Sequence, residues 1–223
     1  MDIGCGSGLF SLVAYNMGAK EVVSVDIDQF SIKCVQQLWI RENKPKNWKI
    51  ITGSVLDKNF IKSLGQFDVV YSWGVLHHTG DMYRAFGNVI NLVKNNGLMF
   101  LAIYNKCHGK NAILAGSSRF WLRVKRKYNN SGNIGKKIIE FLYYVYFFLG
   151  FFILLKNPFK YIKNYGERGM SFYYDIIDWL GGYPYEFATG DELINYFSKK
   201  SFLTKKVKFT DNTGCNELLF LKK

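Results

Sequence analysis

Asp2-Ile3-Gly4-Cys5-Gly6-Ser7-Gly8 opens the chain, and the run Glu21-Val22-Val23-Ser24-Val25 ends on Asp26. Glycines at alternate positions between a strand end and a helix start let the backbone pass close to a ligand, with the first amides of the helix facing it. An acid at the tip of the following strand can accept both hydroxyls of a ribose. Loop and acid together read as a nucleoside site on a strand-helix-strand unit. A dinucleotide fingerprint starting at Gly4 would place its third glycine at position 9, where the chain has Leu9; here it falls at Gly8. Asp2 sets a carboxylate beside the loop, which suits a ligand bearing ammonium and sulfonium groups better than a pyrophosphate.

In these residues the chain resembles the class I S-adenosylmethionine-dependent methyltransferases, whose first motif is D/E-x-G-x-G-x-G. The resemblance continues in order along the sequence. Gly53-Ser54-Val55-Leu56-Asp57 follows the strand-like Trp48-Lys49-Ile50-Ile51-Thr52 and is similar to the family's adenine-binding segment. Phe67 to Trp73 reads as a fourth strand, and Gly74-Val75-Leu76-His77-His78-Thr79-Gly80-Asp81 resembles the family's reaction-centre loop. Asn95-Asn96-Gly97 stands where relatives usually carry Lys-Pro-Gly-Gly, and it leads into Leu98 to Tyr104. The resemblance implies that S-adenosyl-L-methionine is held by Asp2, Gly4, Gly6, Gly8, Asp26, Ile27, Ser54, Val55, Leu56, Asp57 and Trp73. Asp57 would accept from the adenine amine, since Ser54 stands where many members have an acid.

The expected fold is α/β: a doubly wound, mostly parallel sheet of the Rossmann-like methyltransferase type, closed by an antiparallel strand pair. Periodicity predicts helices near 8–17, 29–42 and 82–94, the last behind an Asp81 cap with Met82, Phe86, Val89, Ile90 and Val93 at helical spacing. Thr189-Gly190-Asp191-Glu192 has capping-box spacing and predicts a final helix near 190–199, followed by strands over Phe202 to Phe209 and Glu217 to Leu221.

A chain of 223 residues, 48% of them hydrophobic, can bury one good core and a modest appendage. The methyltransferase domain is expected over 1–105 and 188–223. Cys5, Cys34, Cys107 and Cys215 lack C-x-x-C spacing, so neither a metal site nor a disulfide framework is implied, and a cytoplasmic setting fits. Only Met1 precedes the acid of the first motif, where three or four apolar residues of a central strand normally stand. The chain is therefore expected to be an N-terminally shortened version of a longer protein.

Residues 106–187 are too long for a connection and rich in aromatics, and they read as a helical cap insertion. They hold thirteen Lys and Arg against five Asp and Glu, which is +8 of the chain's net +13. Within them Phe141 to Leu155 is uncharged, with eight aromatic residues between Lys136-Lys137 and Lys156. Three readings compete for this stretch: a packed cap helix, an interfacial helix making peripheral membrane contact through 138–155, and a membrane span. Fifteen helical residues cover about 22 Å, short of a hydrocarbon core of roughly 30 Å, which weighs against the span.

The expected activity is transfer of a methyl group from S-adenosylmethionine to a small-molecule or lipid-like acceptor, in the first instance an oxygen nucleophile. The basic balance also fits phosphates, so an RNA methyltransferase is kept as an alternative. The chemistry argues against it: base-amine methylation in related enzymes uses Asn/Asp-Pro-Pro-Tyr/Phe after the fourth strand, and this chain has Tyr71-Ser72-Trp73-Gly74 there. A nicotinamide oxidoreductase conflicts with the glycine spacing, whereas a non-catalytic cofactor binder or defunct fragment stays open. A hydroxyl acceptor needs a base, and His77 and His78, just beyond the fourth strand, are the catalytic candidates. Tyr104 and Asn105 end the fifth strand on the same rim. The segment Arg168 to Glu186 resembles the cap segment of bacterial methyltransferases that carry the same His-His loop. From it Tyr173, Asp178, Tyr183 and Glu186 join Tyr104 and Asn105 as acceptor-binding candidates, set against an ordinary packed helix at Ile176, Ile177, Trp179 and Leu180.

Overall fold

Val-, Ile- and aromatic-rich runs alternate with amphipathic ones over the first hundred residues, and such alternation folds as parallel strands joined by helical crossovers. The computed structural model describes residues 1–167 and 171–223; Arg168, Gly169 and Met170, which open the aromatic segment quoted above, lie outside the described residues. Its strands are β1 (Asp2–Ile3), β2 (Val22–Asp26), β3 (Trp48–Thr52), β4 (Phe67–Trp73), β5 (Val93–Tyr104), β6 (Phe202–Lys208) and β7 (Cys215–Lys222). The helices are α1 (Leu9–Asn16), α2 (Gln29–Arg41), α3 (Lys58–Ser63), α4 (Met82–Val89), α5 (Ala112–Ala115), α6 (Ser118–Asn129), α7 (Asn133–Ile153), α8 (Pro158–Glu167), α9 (Phe172–Gly181) and α10 (Gly190–Ser198).

The strands form one sheet in the order β3-β2-β1-β4-β5-β7-β6. β1 pairs in parallel with both β2 and β4, while β7 runs antiparallel to β5 on one side and β6 on the other. This is the doubly wound, mostly parallel sheet with a closing antiparallel pair that the sequence predicts. The chain order reverses between β1 and β4, so the strand carboxyl ends at that point form the crevice where open α/β sheets bind ligands. β1 has two residues, and the sheet continues backward from it through Met1, whose carbonyl accepts from the Tyr71 amide at 2.9 Å.

Three features differ from expectation. The helix predicted over 82–94 stops at Val89, passes through a 3-10 turn at Ile90–Leu92, and Val93 already pairs with Phe67 in β5. Val93 is buried because it belongs to the sheet; strand and helix spacings coincide over so short a stretch. The Asn95-Asn96-Gly97 turn lies inside β5 as a bulge, where the register moves from Phe67↔Val93 to Val69↔Leu98. α3 was not anticipated: it is six residues long and is capped by Asp57, whose Oδ1 accepts from the Asn59 and Phe60 amides.

Contacts group the described residues into two units, Met1–Lys106 with Glu186–Lys223, and Cys107–Tyr185. The first unit has the sheet and a core in which the Phe197 ring of α10 packs tilted against Phe86 of α4 and Phe220 of β7, with ring centroids 5.2 Å and 4.7 Å apart. α10 starts in the predicted capping box, Thr189 and Glu192 bonding each other's backbone amides. The second unit is helical. Trp121 of α6 packs its ring against Tyr143 and Tyr146 of α7 and Trp179 of α9. Glu140 of α7 is buried and accepts from Tyr128 at 2.9 Å and Lys137 at 2.8 Å. Among the described residues no single helix is long and apolar enough to cross a membrane; α7 and Pro158–Asn164 pass that test only as a pair bent by 115°.

Candidate active site

The glycine loop has a shape that only glycine at its first position allows. Gly4 leaves β1 with φ of 71°, and a Cβ on it would lie 2.3 Å from Val75, in the segment that follows β4. The loop and the end of β4 can touch only because that atom is missing. From there the chain turns into α1, and the Gly6 amide donates to Asp26 Oδ2 at 2.9 Å. The other oxygen of Asp26 accepts from the Asp28 amide at 2.9 Å, and Asp28 in turn caps α2. The acid at the tip of β2 is thus fixed against the glycine loop by two backbone donors. A carboxylate offers about four lone-pair sites, so both oxygens can still accept from a neighbouring hydroxyl.

Beside this contact is a hollow of about 240 Å³ lined by Gly4, Asp26, Ile27, Ser54, Val55, Leu56 and His78, with Ile3, Val25, Gly53, Val75 and Thr79. It gathers the ends of β1, β2 and β3 and the loop after β4, all within the first unit. Ile27 is 68% exposed, an apolar side chain at a polar rim. Gly53, Val75 and Thr79 lie in the motif segments quoted from the sequence but, like Ile3 and Val25, were not singled out as contact residues. Gly53 had a readable signal, a glycine directly after a strand: a Cβ there would lie 2.2 Å from the Phe60 ring, so β3 ends in a close approach to α3.

Other residues expected at the cofactor do not line the hollow. Asp2 is buried and accepts from Ser11 at 2.6 Å; Ser24 donates to Ser11 at 2.6 Å and Trp48 Nε1 to Ser24 at 2.8 Å. Its carboxylate therefore ends a buried hydrogen-bond chain tying β1, α1, β2 and β3 together, and burial raises its pKa. Asp57 is exposed and caps α3. Trp73 stands half exposed at the end of β4, outside the residues that line the hollow, as do Gly6 and Gly8. Cys5, inside the loop, has its thiol pushed up to about 12 by burial, so it supplies no thiolate.

The two histidines are placed differently. His77 is fully buried, and its Nδ1 accepts from the Tyr104 amide at 3.2 Å. A ring nitrogen that accepts carries no proton, so this bond fixes the tautomer and pins the loop to the end of β5. The His77 ring also packs on Tyr104, centroids 4.0 Å apart, and its carbonyl accepts from the Glu186 amide at 2.9 Å. His78 is partly exposed and borders the hollow, held edge-on to His77 at 4.5 Å and to Tyr104 at 5.4 Å.

Tyr104 and Glu186 join this loop within the first unit. Glu186 Oε1 accepts from the Met82 amide at 3.1 Å, at the start of α4. Asn105 serves the fold instead, its side-chain nitrogen donating to the Thr210 and Asn212 carbonyls and its oxygen accepting from Asn216 at 3.1 Å. It ties β5 to the loop before β7. In the second unit, Tyr173 accepts from Lys137 at 2.9 Å, Asp178 is exposed with its carbonyl receiving the Gly182 amide, and Tyr183 is part-exposed ahead of Pro184.

Comparison with known proteins finds methyltransferases. Residues 1–101 match the family model described as a methyltransferase domain. The ubiquinone biosynthesis O-methyltransferase of Pelagibacter ubique (strain HTCC1062) is 33% identical over 106 residues, 48% of this chain and 42% of the relative. The ribosomal protein L11 methyltransferase of Acetivibrio thermocellus is 40% identical over 57 residues, 26% of this chain and 18% of that protein. These matches span less than half the length of either relative. Among solved structures, PKMT2 from Rickettsia typhi in complex with AdoHcy superposes with a TM-score of 0.63 at 14% identity, over 100% of this chain and 48% of that one, a likeness of fold.

Proposed function

We propose that the chain, whose residues 1–101 match a methyltransferase domain, transfers a methyl group from S-adenosylmethionine to an oxygen of a small-molecule or lipid-like acceptor. The observation that carries the reading is the pairing of Asp26 with the Gly6 amide at the edge of a hollow whose other lip is His78. Asp26 accepts from the ribose hydroxyls with the lone pairs its two amide partners leave. Ile27, Val55 and Leu56 give the adenine an apolar wall. Sites for drug-sized ligands start near roughly 300 Å³, so a hollow of about 240 Å³ takes the nucleoside portion, and the amino-acid end runs along the glycine loop.

When bound, the sulfonium supplies an electrophilic methyl group. The chain's own part is alignment and proton transfer. His78, on the wall of the hollow, would take the proton of the acceptor hydroxyl while the methyl group leaves the sulfonium sulfur for that oxygen. His77, with Nδ1 committed to the Tyr104 amide, is the brace that holds His78 and the loop in place. The Pelagibacter relative's name supports a hydroxylated, quinone-type acceptor.

Titration calorimetry with S-adenosylmethionine tests the first half, with a nicotinamide dinucleotide as the contrasting ligand. Heat with the former and none with the latter is expected; the reverse, or silence with both, overturns the proposal. Mass-shift assays with prenylated catechols against short RNA test the acceptor class, and methylation of RNA alone would replace the proposed acceptor.

A further inference from the structure

Ile138, Phe141, Val145, Leu149 and Phe152 recur along α7 at three- and four-residue steps, so they share one helix face. All five are exposed. A helix of 21 residues is about 31 Å long, and this stripe runs most of its length. It continues past the helix end into Leu155, which is 93% exposed. The face is grooved: a hollow of about 630 Å³ lies along Phe141, Val145, Leu149 and Phe152, with Lys156 and Pro158 among its walls. Isolated apolar residues on a surface are ordinary, but a contiguous stripe of this size marks an interaction site.

Charge selects the occupant. From α6 to α8, residues 118–167 hold ten Lys and Arg against Glu140 and Glu167. Glu140 is buried and bonded to Lys137 and Tyr128, so it offsets Lys137 alone and leaves the other basic residues unbalanced by it. Lys127 borders the neighbouring apolar hollow beside Leu142 and Tyr146, while Lys156, Lys160 and Lys163 follow the stripe and are exposed. A second copy of a chain with net charge +13 would bring like charge against like. An apolar stripe rimmed by lysines and aromatics matches the boundary between anionic headgroups and acyl chains. The bend of 115° between α7 and Pro158–Asn164 suits helices that lie at that boundary rather than cross it.

We propose that the α7–α8 face docks on an anionic lipid bilayer, with α7 lying in the plane of the interface. The proposal stands independently of methyl transfer. Flotation of the full chain with vesicles of phosphatidylcholine alone, and of phosphatidylcholine mixed with phosphatidylglycerol, tests it. Binding to the anionic vesicles is expected to be about tenfold or more stronger and to weaken with salt. Leu149→Glu with Phe152→Glu is expected to lower binding to both vesicle types at least tenfold, whereas Lys156→Glu with Lys160→Glu removes the preference for anionic lipid. Circular dichroism and cofactor titration verify that the variants remain folded, and the salt dependence of the unaltered chain is read without any variant. Equal binding to both vesicle types, binding unmoved by either pair, or a dimer in sedimentation that the Leu149/Phe152 pair dissociates with no vesicle binding overturns it.

Discussion

At the level of single residues, the adjacent pair His77-His78 separates into two jobs because consecutive side chains on a 3-10 turn point in different directions. His77 faces inward and accepts a hydrogen bond from the backbone; His78 faces the hollow. The two positions should therefore fail differently. His77→Ala leaves a cavity and removes the Nδ1 acceptor of the Tyr104 amide, and is expected to lower stability by about 2–3 kcal/mol, read as a reduced melting temperature with cofactor affinity following the folded fraction. His78→Gln is expected to keep the melting temperature and lower kcat by about 10²- to 10⁴-fold. Equal turnover in His78→Gln would remove it as the base. For Asp26→Ala, loss of charge-assisted bonds to the ribose is expected to cost about 1–3 kcal/mol of S-adenosylmethionine affinity, measured by calorimetry, and unchanged affinity would refute the ribose assignment. The contact of Asp26 with the glycine loop was legible because a strand tip that follows such a loop is brought against it by the strand-helix-strand unit. Asp2, Asp57 and Asn105 were less so: each is a polar residue near a motif, and each makes hydrogen bonds to its own fold instead. Sequence spacing places such residues near a site but does not say which way they face.

Among the helices and strands, those with one strong periodicity were read to within a residue or two, as at β3, β4, α2 and α10. Where two periodicities overlap, as over Ile90 to Val93, tertiary pairing decided the boundary. The helices after β5 carry a further feature that pattern alone did not single out. Lys125 lies on the inner side of α6, fully buried, with Nζ donating to the Trp179 carbonyl and lying 3.8 Å from the Trp179 ring centroid. Burial pulls its pKa down from 10.5 to about 7. The ammonium is therefore easier to deprotonate folded than unfolded. Below pH 7 both states hold the proton and the folded state bears the whole desolvation penalty; between about 7 and 10.5 the folded state sheds the proton first, so stability contributed by this site rises with pH. Comparing melting temperatures of the unaltered chain and Lys125→Met across that window isolates the effect: the unaltered chain is expected to gain on the variant as pH rises. Parallel curves would place the Lys125 pKa near its ordinary value.

Taken across the entire chain, the first unit is assembled from both ends of the sequence. β5 has its second sheet neighbour only because β7 returns from residues 215–222, and Phe197 and Phe220 complete the core that Phe86 begins. Residues 1–101 match the methyltransferase domain model, yet by themselves they would leave β5 as an unpaired edge with one apolar face bare. The ends of the intervening stretch meet within that unit: the Lys106 amide donates to the Ala188 carbonyl at 3.2 Å, and Asn105 bridges to Ala188. Replacing residues 107–185 by a short Gly-Ser linker therefore asks for no rearrangement of the sheet, and the entropic cost of closing a short flexible loop grows only slowly with its length. Such a protein is expected to fold and to bind S-adenosylmethionine within about threefold of the full chain, a difference below roughly 1 kcal/mol. It would also lose twelve Lys and Arg against four Asp and Glu, and with them α7, so vesicle binding should disappear while cofactor binding persists. An excised chain that folds, as judged by circular dichroism, yet has lost its cofactor would show that the nucleoside hollow depends on the helical unit.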